Sequence, residues 1–197
     1  MREIAKLVLV LSLICGISAA ALTVVRISLE ERIDIQNDYY VRGPALEQLF
    51  QKPANDVLKN KILFAIDDIT YPIFYMTDGN TISGLAIEAP GKGGYAGDII
   101  IMIGIDIEAE KIIGLEIIQH SETPGVGSKV EKASFRKQWI NLRVNESVEL
   151  RTHGGIIDAI SGATYSSNAV IDGTNRIKNI INDHLGEIET LIQANLD

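Results

Sequence analysis

The chain has 197 residues, 46% of them hydrophobic, which is enough for one sizeable domain with a short appendage and too little for two large domains. A formal net charge of -8, from 18 Lys and Arg against 26 Asp and Glu, excludes a nucleic-acid partner, because phosphate binding needs clustered basic side chains and none cluster here. The single cysteine, Cys15, excludes an intrachain disulfide, a thiolate metal cluster and a Cys-X-X-Cys redox pair, so any redox chemistry must come from an added cofactor.

Residues 7–25 carry no charge and match the roughly twenty residues that cross a hydrocarbon core as a helix, so a membrane anchor in contact with lipid is expected. Its rivals are a buried core helix and a cleavable signal peptide, the latter favoured by Ala19, Ala20 and Ala21. The apolar run continues past these alanines through Leu22, Val24 and Val25, beyond the usual signal core of about 7–15 residues. A lipidated Cys15 is disfavoured by the bulky Ile14 before it. Arg2 and Lys6 precede the span while Arg26, Arg32 and Arg42 follow it, so charge does not decide orientation. The short N-terminal tail favours a cytoplasmic N-terminus with the bulk of the chain outside.

Residues 28–37 mix charges with Leu29, Ile33 and Ile35, as a juxtamembrane helix would. Gly43-Pro44 breaks the chain, residues 45–50 form a short helix and Lys52-Pro53 closes it. The expected organisation is therefore an anchor over 1–27, a juxtamembrane helical segment over 28–60 and a folded domain over 61–197.

Strands are predicted at 62–66, 73–76, 81–89, 98–106 and 111–119, all rich in Ile, Val, Phe or Tyr. Asp78-Gly79-Asn80 and residues 105–111 supply turns, and such short connections produce antiparallel pairs. Residues 90–97 form a glycine-dense loop, read equally well as a flexible hairpin connection or a ligand approach. Residues 130–140 have helical spacing that puts Val130, Phe135 and Trp139 on one face, and a short strand is predicted at 147–150. The triplet Asn145-Glu146-Ser147 matches a glycosylation signal that occurs often by chance. Residues 167–185 form an amphipathic helix capped by Ser166 or Ser167 and ended by Gly186, with a last short helix over 187–195. The fold class is α+β, mainly antiparallel sheet with flanking helices.

His120, His153 and His184 form no metal-ligand spacing, and no Gly-X-Ser-X-Gly elbow gives Ser161 a hydrolase role, so neither a metal site nor a catalytic residue is assigned. Two glycine-containing segments remain. In the first, His120-Ser121-Glu122-Thr123-Pro124-Gly125-Val126-Gly127, Pro124-Gly125 presets a tight turn. It reads either as a plain connection or as a loop that aims Glu122 and Thr123 into a pocket. In the second, Gly162-Ala163 allow close approach and Thr164 presents a hydroxyl at a helix N-terminus, a place that favours phosphate. Local physics alone favours simple helix capping there.

Asp158-Ala159-Ile160-Ser161-Gly162-Ala163-Thr164 resembles the flavinylation pattern Asp-X-X-Ser/Thr-Gly-Ala-Thr of the FMN-binding domain family. His120 through Gly127 looks like the His-X-Glu-Thr-Pro-Gly-Leu-Gly segment of the G subunit of Rnf electron-transport complexes, with Val126 in place of Leu. The related C subunit of the sodium-pumping NADH:quinone reductase shares the first motif. The resemblance covers essentially the whole chain. It implies FMN bonded through a phosphodiester to Thr164, installed by a separate flavin transferase that uses FAD and magnesium. It further implies electron transfer between ferredoxin and NAD coupled to ion movement, in a membrane complex with other redox subunits. The chain is then a redox component that is not catalytic alone. Around Thr164 the resemblance implies cofactor contacts from Asp158, Ser161, Gly162, Ala163, Tyr165 and Ser166, and from His120, Glu122, Thr123, Gly125 and Gly127. The competing readings are a flavin-free anchored binding or assembly module, and a flavin reductase acting alone, for which the Gly-X-Gly-X-X-Gly nicotinamide fingerprint is missing.

Overall fold

The structure is a computed structural model that describes residues 2–79 and 81–196. It divides into two compact units, with the boundary between Tyr40 and Val41. The first is dominated by one helix, α1 (Arg2–Asn37), whose Arg2–Glu30 stretch is long and apolar enough to cross a membrane and has no buried residues in its most apolar window. The helix runs without a break through residues 28–37, and a π-helical turn, Asp38–Arg42, follows it.

The second unit is built on a five-stranded antiparallel meander: β1 (Lys61–Ile66), β2 (Ile69–Asp78), β3 (Thr81–Gly91), β4 (Ile99–Asp106) and β5 (Lys111–Gln119), in that spatial order. This is the α+β sheet that the apolar runs and short turns predict. Of the Asp78-Gly79-Asn80 turn, Asn80 lies outside the described residues. β4 is covered on both faces, which is why Ile99, Ile101, Met102, Ile103 and Ile105 form an almost unbroken apolar run. One face takes the small helices α2 (Gly43–Phe50) and α3 (Ala54–Leu58), whose Leu46, Leu49 and Val57 pack on Phe74, Ala86 and Met102. The other face takes a 33-residue helix, α5 (Thr164–Leu196), through Val170, Ile177, Ile181, Ile188 and Ile192. Each such aliphatic side chain stabilises the fold by about 1.5–3 kcal/mol on burial.

Three sequence expectations need correction. The segment 130–140 is not one helix: a 3-10 turn (Gly127–Glu131) is separated by an extended Lys132, at φ -65° and ψ 134°, from the short helix α4 (Ala133–Arg136), which runs directly into a second 3-10 turn (Lys137–Trp139). The break lets Val130, Phe135 and Trp139 all reach the core, which regular helical geometry serves less well than the tertiary contacts do. Residues 147–150 make no strand; Leu150 contributes only an isolated bridge to Ile157. Gly186 does not end the final helix, which continues to Leu196 because Ile188 and Ile192 extend the same buried face; the Gly186 carbonyl accepts a hydrogen bond from Thr190 Oγ1 at 2.7 Å.

Candidate functional site

Helix α5 begins at Thr164, ahead of the two serines expected to cap it; Ser167 instead folds the preceding loop back onto the helix, and Ser166 reaches a distant segment. Ser167 Oγ accepts the Ile160 N–H at 3.0 Å and donates to the Ala163 carbonyl at 3.0 Å. Ser166 Oγ donates to Glu122 Oε2 at 2.8 Å. Gly162 takes the left-handed φ of 78° that turns the chain into the helix, a conformation that disfavours side chains. The first bond of the helical ladder runs from Ser167 N–H to Ala163 C=O at 3.0 Å, so the amides of residues 164–166 form the positive end of the helix.

The hydroxyls of this segment therefore sort themselves. Ser166 and Ser167 are buried and hydrogen-bonded, whereas Ser161 and Thr164 are exposed. Of those two, only Thr164 lines a cleft of about 230 Å³.

Three segments distant in sequence build that cleft. Residues 162–166 form one wall; Glu122, Thr123, Val126 and Gly127 form another; and Tyr95 comes from the loop between β3 and β4. Glu122 is buried, with Oε2 taking the Ser166 hydroxyl and Oε1 taking the Ala96 N–H at 3.1 Å. Gly127 fits against this junction because it has no side chain: a Cβ there would lie 2.3 Å from Glu122 Oε2. Among the described residues no Lys or Arg lines the cleft, and Glu122 is its one carboxylate. Tyr95 and Tyr165 are 74% and 68% exposed, two aromatic rings left at the mouth.

The remaining expected site residues lie outside the cleft. Asp158 pairs with Arg151, whose Nε donates to Oδ1 at 2.7 Å, and its own N–H donates to Gln138 Oε1 at 2.7 Å. His120 sits behind Glu122, accepting the Glu122 N–H at Nδ1 at 3.0 Å and facing Glu131 Oε1 from Nε2 at 2.9 Å. Gly125 forms the tight turn at φ 75°, its N–H donating to Ser128 Oγ at 2.8 Å. Sequence reasoning missed Tyr95 and Val126. The available signal for Tyr95 was a large aromatic residue in the middle of a glycine-dense loop, where no core needs it.

The model of the FMN-binding domain matches residues 94–179, a span that contains the whole cleft. Among curated relatives, the G subunit of the ion-translocating oxidoreductase complex of Haemophilus influenzae is 33% identical over 148 residues, covering 72% of this chain and 66% of its own length. The G subunits of the same complex from Aliivibrio fischeri (28% identical, covering 93% of this chain and 92% of the relative) and Methanosarcina acetivorans (29%, 87% and 90%) match over almost their full lengths. The chain thus spans about two thirds of the Haemophilus protein. Two solved structures share the fold: NqrC of Shewanella oneidensis, at TM-score 0.51 and 19% identity over 67% of this chain and 70% of that one, and the C subunit of the Na(+)-translocating NADH-quinone reductase of Parabacteroides distasonis, at 0.52 and 20% over 65% and 78%. With the cleft falling inside the matched domain and the Aliivibrio relative aligned along 93% of this chain, the chain belongs to the FMN-binding domain family that includes the G subunits of ion-translocating oxidoreductase complexes.

Proposed function

We propose that this protein is the electron-transfer subunit of a membrane complex coupling electron flow between ferredoxin and NAD to ion movement, and that it carries FMN bonded to Thr164 Oγ through a phosphodiester. The observation that carries this reading is the position of the Thr164 hydroxyl: exposed, first in a long helix, and in the wall of the cleft. A phosphate there meets the amides and dipole of the helix end. Because the described residues of the cleft offer no basic side chain, a free FMN dianion would find little countercharge, whereas a phosphodiester tether carries a single negative charge and holds the cofactor covalently.

The residues present fit the cofactor. Gly127 and Gly162 keep backbone close to the cleft, Thr123 adds a hydroxyl, and Tyr95 and Tyr165 offer aromatic faces. At about 230 Å³ the cleft falls below the range of about 300–1,000 Å³ typical of enclosing ligand pockets. So small a seat suits a centre that must meet redox partners. When bound, FMN supplies the electron chemistry, and the chain supplies position and electrostatics.

In this reading residues 1–27 anchor the chain in lipid, 28–60 form the connecting helical segment and 61–197 hold the cofactor on the extracytoplasmic side. A flavin transferase loads it: the Thr164 Oγ–P bond forms as the pyrophosphate bond of FAD breaks and AMP leaves, with magnesium assisting. Partners are the other redox and membrane subunits of an Rnf-type complex. The test is co-expression with the transferase followed by denaturing electrophoresis. The wild-type band fluoresces as a flavin under ultraviolet light and the Thr164→Ala band does not. In membrane vesicles that substitution abolishes ferredoxin-dependent NAD reduction while the complex still assembles. A fluorescent Thr164→Ala band would overturn the assignment.

A further inference from the structure

Glu122 is buried beside the cleft, yet neither of its carboxylate oxygens is left without a protein partner. Oε1 accepts the Ala96 N–H at 3.1 Å, and Ala96 belongs to the loop that carries Tyr95. Oε2 accepts the Ser166 hydroxyl at 2.8 Å, and Ser166 belongs to the first turn of α5 that begins with Thr164. One side chain thus ties two walls of the cleft together from a third.

Its own backbone is fixed from behind. The Glu122 N–H donates to His120 Nδ1 at 3.0 Å, and His120 Nε2 faces Glu131 Oε1 at 2.9 Å. Accepting at Nδ1 places the neutral ring's N–H at Nε2, from where it donates a hydrogen bond to Glu131 Oε1. The space around the junction is equally specific. A Cβ at Gly127 would lie 2.3 Å from Glu122 Oε2 and 2.7 Å from Ser166 Oγ, and a Cβ at Gly94 would lie 2.7 Å from Glu122 Oε1.

We propose that Glu122 and His120 are positioning residues: Glu122 clasps the 92–98 loop to the first turn of α5, His120 locks Glu122 in register, and the clasp holds the cofactor on Thr164 in one orientation. The proposal rests on the flavin assignment to Thr164 for its last clause only. It gives Glu122 and His120 a role that acts through other residues, with no contact to the cofactor required.

The test uses the full chain in detergent, both unloaded and loaded by co-expressed transferase, as wild type, Glu122→Gln, Glu122→Leu, Gly127→Ala and His120→Leu. In the unloaded chain, hydrogen exchange of the Ala96 amide accelerates on the order of tenfold or more in Glu122→Leu and Gly127→Ala, and in the same direction in His120→Leu. Glu122→Gln retains protection, since the amide oxygen accepts from Ala96 and the amide nitrogen bonds Ser166. In the loaded chain, flavin anisotropy falls in Glu122→Leu and Gly127→Ala and is restored by Glu122→Gln.

Unchanged Ala96 exchange in both Glu122→Leu and Gly127→Ala overturns the clasp, and unchanged exchange in His120→Leu overturns the lock. Anisotropy equal to wild type in Glu122→Leu overturns the effect on the cofactor. If Glu122→Leu does not fold, Gly127→Ala wedges the same junction apart while the Glu122 side chain is retained. If wild type carries no covalent flavin, the function proposed above fails while the exchange measurements still decide the clasp.

Discussion

Gly91 on β3 and Ala169 on α5 meet backbone to backbone: a Cβ added at Gly91 would stand 2.0 Å from the Ala169 carbonyl oxygen. The contact is reinforced on either side by Arg176 Nε donating to the Pro90 carbonyl at 3.2 Å and by the Lys92 N–H donating to Asp172 Oδ2 at 2.8 Å. These ties set how α5 lies along β3, and so where Thr164 stands relative to the loop that carries Tyr95.

Gly91→Ala is therefore expected to destabilise the domain by about 1–3 kcal/mol, because the helix must lift off the strand. Urea unfolding followed by circular dichroism measures this. The same substitution lowers flavin loading at Thr164 under conditions where the variant remains folded; stability equal to wild type would contradict the packing described.

A buried bidentate pair joins the start of the second unit to the sheet: Arg42 Nε and one terminal nitrogen reach the two oxygens of Glu88 at 2.6 Å and 3.0 Å. Glu88→Ala takes two charge-assisted hydrogen bonds from a buried guanidinium, so it is expected to cost about 3–5 kcal/mol. Replacing both with apolar residues, Arg42→Met with Glu88→Leu, restores most of that stability. A double-mutant cycle in urea decides.

Lys178 on α5 is buried, and desolvation pushes its ammonium below the ordinary lysine range, with Glu146 acting in the opposite sense. A lysine whose folded value is lowered binds protons less readily folded than unfolded, so its charge destabilises the fold at neutral pH. That penalty is relieved as pH rises through the lowered value toward the unfolded value of about 10.4. Lys178→Met is expected to stabilise the protein by roughly 1 kcal/mol at pH 7, with the gain gone by about pH 10.4. Chemical denaturation at both pH values checks the sign.

Trp139 Nε1 donates to Thr174 Oγ1 at 2.8 Å inside the core, and that hydroxyl donates on to the Val170 carbonyl at 2.8 Å. Thr174→Val keeps the shape but leaves the indole N–H unpaired, at a cost of about 1–3 kcal/mol. Tryptophan fluorescence reports on the site directly, as Trp139 is the only tryptophan.

The sheet was legible because Ile-rich runs such as residues 99–105 are bounded by turn residues, and meander connections leave little topological choice. What escaped reading depends on tertiary contact. Gly186 looks like a helix stop until Ile188 and Ile192 find the core beyond it. Ser166 and Ser167 look like caps until Glu122 and Ile160, far off and near by in sequence, claim their hydroxyls. For the site, the motif named Thr164, but its partnership with Tyr95 is a product of how the 92–98 loop folds over, and no spacing in the chain encodes it. Asp158 and His120 belong to the motifs without lining the cleft, a distinction only geometry makes.

The most direct measurement is peptide mass mapping of the full-length chain co-expressed with its flavin transferase. Trypsin cleaves after Arg151 and Arg176, leaving one peptide that contains Ser161, Thr164, Ser166 and Ser167 together. An FMN adduct is expected on that peptide, surviving denaturation, fragmenting to Thr164 and absent from Thr164→Ala. An adduct on Ser161, Ser166 or Ser167, or a flavin that dissociates on denaturation, would contradict it.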